Sequence, residues 1–344
     1  MNAELPELRE SARQVLGGLG LAAGEDKTWP MVLDLGWLLV GVPEESGGLG
    51  QGFAGACAFH EEIGRHLNGV AYLPAMLAVE AAARASAPTL RARWLERATS
   101  GVRITAPLAA SHVSVSAAVR LSGSASAVLS ADAAEHVLLW SDDSDLVVLL
   151  PLAQAGVERV HRPTWDTTRR LFDLRLTDVA IDSDQVLASG AEAQALSRRL
   201  AVQRDFALAA DAIGGAGALL EKTVEYLQTR RQFGRPLALF QSLKHRCADL
   251  KTMVSAAEAL LSDGLWRVGE QLSTPEAEML GRGAKAYAVS VYARVAEEAV
   301  QLHGGIGMTA EHPCHLFLKR ALLDEQLGRG GERYESAIAA AFLR

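Results

Sequence analysis

The feature that most limits what this chain can fold into is a break at residues 230–241, Arg-Arg-Gln-Phe-Gly-Arg-Pro-Leu-Ala-Leu-Phe-Gln, between two long helical patterns. One pattern runs up to the break from about Gln194. Beyond it, Leu243, Cys247, Leu250, Val254, Ala257 and Leu261 step by four and three, and Leu280, Ala284, Tyr287 and Val291 do the same further on. Such stripes are the seams of an antiparallel bundle. Phe233-Gly234 is expected to break the first helix, and Pro236 suits the first turn of the next. A second stretch, Gln301-Leu-His-Gly-Gly-Ile-Gly307, ends another helix, and its glycines permit close backbone approach. Cationic and amide side chains beside a helix start can grip an anionic or nucleotide-like ligand, because the backbone N–H groups there are free. An ordinary helix–loop–helix carries similar residues, so neither stretch is decisive alone.

Upstream, residues 1–101 read as helical. Leu8, Ala12, Val15 and Leu19 recur at helix spacing, and 54–65 and 73–85 look like further helices. Gly50-Gln-Gly-Phe-Ala-Gly55 matches a dinucleotide fingerprint, but a turn precedes it where that motif needs a strand. Over 102–190 the pattern shifts. Val113 and Val115, Val119 and Leu121, and the runs 137–140, 146–150, 171–177 and 179–181 suggest short strands, with a turn at Asp166-Thr-Thr-Arg169. Residues 191–344 return to helix. The expected class is therefore α+β, in three segments.

With 344 residues and a formal net charge of −7, the chain can bury a large core but is a poor match for nucleic acid or an anionic membrane. No apolar run reaches the roughly 20 residues that cross a bilayer, and the acidic amino terminus lacks the order of a signal peptide. A cytoplasmic location is expected. Cys57, Cys247 and Cys314 lie far apart and form no disulfide framework. His303, His312, Cys314 and His315 share one segment, but their spacing matches no common ligand set, so no metal is expected.

Trp29, Asp34-Leu-Gly-Trp37, Val42-Pro-Glu-Glu45, Gly47-Gly-Leu-Gly50 and Glu61-Glu-Ile-Gly-Arg65, taken with the two carboxyl-terminal stretches, resemble the acyl-CoA dehydrogenase family. The resemblance implies an N-terminal helical domain, a middle β domain and a C-terminal four-helix bundle. It also implies α,β-dehydrogenation of an acyl-CoA thioester, with a carboxylate taking the α proton and FAD the β hydride. By matching residue to residue, Arg230, Gln232, Phe233, Gln241, Gln301, Gly304 and Gly305 correspond to positions that contact FAD from a neighbouring subunit. Arg230 would pair with the pyrophosphate.

Two family features are absent. Where relatives carry a Thr-Glu-Pro-Gly-x-Gly-Ser loop around the flavin ring, this chain reads Thr105-Ala-Pro-Leu-Ala-Ala-Ser111, and the ring-stacking Trp position falls near Ala127. Where many relatives carry the base, counting from the glycine turn leads to Gly328; the other family position leads to Arg204. Asp205 is rotated about 100° from that position, and Asp211, about 10 Å further along the same face, is the one fallback base. Its alternative reading is a polar residue on the bundle's wet face.

Some family members are α2β2 assemblies of two unlike chains, one supplying the base and ring site while the other completes the FAD site. The resemblance thus implies a half-site subunit with a dehydrogenase-like partner and a bulky CoA thioester substrate. A homomeric dehydrogenase using Asp211, or a flavin-free structural or regulatory paralogue, are the rival expectations.

Overall fold

The structure is a computed structural model that describes residues 5–109, 111–116, 120–140 and 145–328, and Ser336. Five helices come first: α1 (Leu5–Leu19), α2 (Glu25–Asp34), α3 (Gly52–Arg65), α4 (Tyr72–Ala83) and α5 (Pro88–Thr99). On α1 the expected stripe faces inward, with Ala12 and Leu16 buried and Leu8, Val15 and Leu19 packed beside them. Helix α4 is buried along almost its whole length, as an apolar-all-round helix must be.

Strands β1 (Ile104–Thr105), β4 (His136–Trp140), β5 (Leu146–Pro151) and β8 (Val186–Ser189) form one sheet in that order. Strands β2 (Ser111–Val115), β3 (Arg120–Leu129), β7 (Leu171–Ala180) and β6 (Val157–Arg162) form a second. The pairings are antiparallel except β1 with β4. Along β4 and β5 the pleat divides the side chains between two cores. Val137, Leu139, Val148 and Leu150 face the space between the sheets, while Leu138, Trp140, Val147 and Leu149 face the helices. Both faces are covered, which is why these strands read as unbroken apolar runs. Val119 lies outside the described residues; Val179 and Ala180 end β7 rather than forming a strand of their own, and Ile181 follows it.

Helix α6 (Gly190–Thr229) is 40 residues long, and α7 (Gln241–Val268), α8 (Pro275–His303) and α9 (Cys314–Gln326) complete the helical layer. Two glycines let α3 and α6 cross at backbone contact. A Cβ on Gly64 would lie 1.9 Å from the carbonyl oxygen of Asp211, and one on Gly214 would lie 1.8 Å from that of Glu61. No helix among the described residues is long and apolar enough to cross a membrane.

The joint after α6 differs from expectation. Pro236 does not open α7. The chain forms a two-residue hairpin, β9 (Arg231–Gln232) with β10 (Arg235–Pro236), and then a 3-10 turn over Leu237–Leu239 before α7 begins. Phe233 and Gly234, at φ +52° and +79°, make the tight turn. The backbone bond from Leu237 N–H to Arg230 O, 2.9 Å, closes its base.

Candidate functional site

The seven residues expected to grip a nucleotide are all exposed in the single chain. Arg230, Gln232, Phe233 and Gln241 sit on the hairpin and the start of α7, while Gln301, Gly304 and Gly305 sit at the end of α8 and on the 3-10 turn Gly304–Met308. Phe233 is 89% exposed, its ring edge-on to Phe240 at 6.1 Å, and the Arg235 guanidinium lies 4.0 Å over the Phe240 ring. Tyr226, on the last turn of α6, ties the two segments together. Its hydroxyl donates to the carbonyl of His303 at 3.2 Å and its ring stacks on the His303 ring at 4.5 Å. Sequence reasoning did not single out Tyr226; its place four residues before Arg230 was the available signal. Gly304 has φ +65° with nothing near a hypothetical Cβ. An open glycine backbone beside an exposed arginine and amides suits a phosphate-bearing ligand.

Among the described residues, the segment after β1 is closely packed. Thr105 and Ala106 are buried, and the Thr105 hydroxyl donates to Leu129 O. Pro107 bridges to Val128, and Leu108 N–H donates to Ala127 O at 3.0 Å. Leu108 is buried, and with His60, Leu73, Ala207, Leu208 and Asp211 it lines a cavity of about 10 Å³. That volume admits about one water, so the residues present do not fit a flavin ring. Ala127, at φ +54°, has its N–H 3.3 Å from an Asp173 carboxylate oxygen. His60, walled in beside this cavity, has its pKa pushed down to about 3 by burial.

The expected base positions are equally closed. Gly328 is buried with φ +75° and donates its N–H to Leu108 O at 2.6 Å. Arg204 is buried and pairs with Asp205 at 3.1 Å. Asp211 is not on a wet face of the bundle: it is 2% exposed, with one carboxylate oxygen 2.8 Å from Arg169 and the other 3.6 Å from Arg320. It belongs to a buried ionic cluster in which Arg169 also reaches Asp324 at 2.5 Å and Arg320 reaches Asp166 at 2.7 Å. Thr168, in the turn picked out by sequence, donates its backbone N–H to Asp166 at 2.9 Å, and its hydroxyl receives Arg320. Three carboxylates and two guanidiniums share this cluster, with the buried Lys285 ammonium close enough to feel Asp324, and burial pushes Asp324 up to about 7.

A groove of about 1100 Å³ opens between α1, α3 and α7, and a second of about 410 Å³ continues it between α6 and α7. Glu61, Glu258, Asp263, Glu221 and Glu225 lie along them, with Arg9 and Arg65 paired to Glu61 and Glu221.

Comparison with known proteins falls on the same frame. The model of the acyl-CoA dehydrogenase C-terminal domain matches residues 193–342, and that of the N-terminal domain matches 19–102. The acyl-CoA dehydrogenase IpdE2 of Mycolicibacterium smegmatis is 30% identical over 94% of this chain and 91% of its own length. Among solved structures, the ChsE4-ChsE5 complex from Mycobacterium tuberculosis is similar at TM-score 0.89 and 24% identity, over 100% of this chain and 98% of that one. A variant of the Tcur3481-Tcur3483 steroid ACAD is similar at TM-score 0.84 and 26% identity, over 99% of each chain.

Proposed function

The chain belongs to the acyl-CoA dehydrogenase family, and we propose that within it this is a half-site subunit, one that completes the FAD site of an unlike partner without seating a flavin ring itself. The observation that carries this reading is the contrast between the exposed grip at Arg230, Gln232, Phe233, Gln241, Gln301, Gly304 and Gly305 and the interior closed by Leu108 and Gly328. A surface that meets the nucleotide end of a cofactor held elsewhere must be open in the single chain. A chain that performed the dehydrogenation alone would need space for a ring, an acyl group and a free carboxylate between the β segment and the bundle.

FAD, bound in the partner, would supply the hydride acceptor. Arg230 would hold the pyrophosphate, Gly304 and Gly305 would let the backbone close on it, and the hairpin would fix the approach of the partner. The names of two similar structures, ChsE4-ChsE5 and Tcur3481-Tcur3483, each pair two chains, and the second carries the word steroid. The pairing supports an unlike partner, and the steroid ACAD supports a bulky CoA thioester as the substrate of the assembly.

The test is an Arg230→Glu substitution in the assembly co-purified with its partner. The expected result is an assembly that still forms but has lost most of its bound flavin. Flavin content equal to that of the parent assembly would overturn the proposal and favour a flavin-free structural role.

A further inference from the structure

We propose that His303, His312 and Cys314 form a binding site for a borderline transition-metal dication of the zinc class. Their positions, nine and two residues apart, resemble no ligand motif as a string. The 3-10 turn Gly304–Met308 and the short segment after it fold the end of α8 back on the start of α9, and one ligand atom from each residue then lies within 4.8 Å of the others. Tetrahedral zinc, with bonds of about 2.0 Å to nitrogen and 2.3 Å to sulfur, holds its ligand atoms about 3.5 Å apart. Closure of about 1 Å is all the site needs.

Each ligand is prepared differently. His303 is 3% exposed, and its Nδ1 lies 2.7 Å from the carbonyl of Ala299, which fixes the proton there. The lone pair is then on Nε2, which finds no hydrogen-bond partner among the described residues. A buried nitrogen without a partner is costly, and a metal would satisfy it. The Tyr226 ring stacked on His303 holds the imidazole in place. The His312 ring lies 4.2 Å from that of His303. Its Nδ1 receives only a long contact, 3.3 Å, from Cys314 N–H, so exchange of its ring proton costs little. Cys314 is fully buried at the first position of α9. A thiol binds such an ion as the thiolate, so uptake of the metal would release its proton.

Two imidazoles and a thiolate favour zinc, cobalt or copper over magnesium or calcium, which require oxygen ligands. His312 is half-buried, which gives an entry path and leaves a further coordination position for water. Occupied, the site would brace the turn that carries Gly304 and Gly305 from below.

The test uses the full chain, stripped with a chelator and titrated with Zn²⁺ alone by calorimetry and with Co²⁺ alone by absorption. The expected results are one ion per chain, release of about one proton, and a sulfur-to-cobalt charge-transfer band. Cys314→Ser should abolish the band, and His312→Ala, at the half-exposed ligand, should weaken binding at least about tenfold. Cys247→Ser should change neither. The proposal is overturned if the wild-type chain takes up no ion, or if His312→Ala, folded by circular dichroism, binds zinc as the wild type does. Neither readout involves flavin.

Discussion

Gly328 donates its backbone N–H to the carbonyl of Leu108 at 2.6 Å, joining the turn after α9 to the segment that follows β1. Leu108 stands in the stretch where the family resemblance implies a flavin-ring loop, and Gly328 at the position where it implies a carboxylate. The two segments expected to flank a reaction are instead hydrogen-bonded directly to each other, and the cavity that Leu108 lines holds about one water.

Restoring one missing group should therefore not restore chemistry. Gly328 is buried at φ +75°, a conformation that costs a side-chain-bearing residue about 1 kcal/mol or more. Gly328→Glu should lower the Tm of the isolated chain and leave it without dehydrogenase turnover in a dye-reduction assay. Turnover appearing with that single change would show that the ring site was present all along.

The ionic cluster gives a pH dependence of definite sign. Asp324 has its pKa raised by burial from 3.8 to about 7, so between those values the folded chain keeps a proton that the unfolded chain has released. Stability from this group is complete at low pH and is lost as pH rises through about 7. Asp166, although burial raises it, is held below its ordinary value by Arg320, and acts in the opposite sense at more acid pH. Urea midpoints of the wild type should fall from pH 5 toward pH 8, and Asp324→Asn should flatten that fall.

Within the same cluster, Arg320→Ala strands Asp166 and Asp211 and should cost about 3–5 kcal/mol in denaturant unfolding. Asp211→Asn tests the rival role of that residue. In the assembly it should lower stability while turnover per bound flavin stays at the parent value. A base at this position would show retained flavin with turnover abolished.

The α3–α6 crossing predicts an asymmetry among glycines of one helix. Gly214→Ala forces a methyl into the Glu61 carbonyl, whereas Gly217, a turn further on, meets nothing within 4 Å. Thermal unfolding should show Gly214→Ala clearly destabilised and Gly217→Ala stabilised by about 0.5–1 kcal/mol, the ordinary helical preference for alanine.

Phe233 sets a cost in the free chain against a role in the assembly. It is 89% exposed, and it adopts a left-handed conformation that favours glycine. Phe233→Gly should leave the isolated chain as stable or slightly more stable, yet weaken its association with the partner in analytical ultracentrifugation.

The bundle and the sheet layers were legible because the forces that make them are local in sequence. Leu250, Val254, Ala257 and Leu261 mark a helix face by spacing alone, and the apolar runs of β4 and β5 announce strands covered on both sides. Strand β6 was missed because it is an edge strand, Val-Glu-Arg-Val-His-Arg, with no buried residue to impose alternation. Strand β8 is four residues long, too short for a period to show. The hairpin at 231–236 escaped because Pro236 has the same preferred φ before a 3-10 turn as inside a helix start. Of the site, the exposed grip was readable as a motif. The ionic cluster was not, since Arg169 meets partners 42 and 155 residues away and only the fold brings them together.

The central claim is that this polypeptide holds the far end of a flavin and lacks a place for its ring. The most direct measurement is the flavin-to-chain ratio of the polypeptide purified without a partner, read from its visible spectrum after release of bound cofactor. A colourless protein with a ratio near zero, regaining flavin only when co-purified with an unlike dehydrogenase chain, is the expected result. A yellow homo-oligomer carrying one flavin per chain and oxidising an acyl-CoA thioester would contradict it.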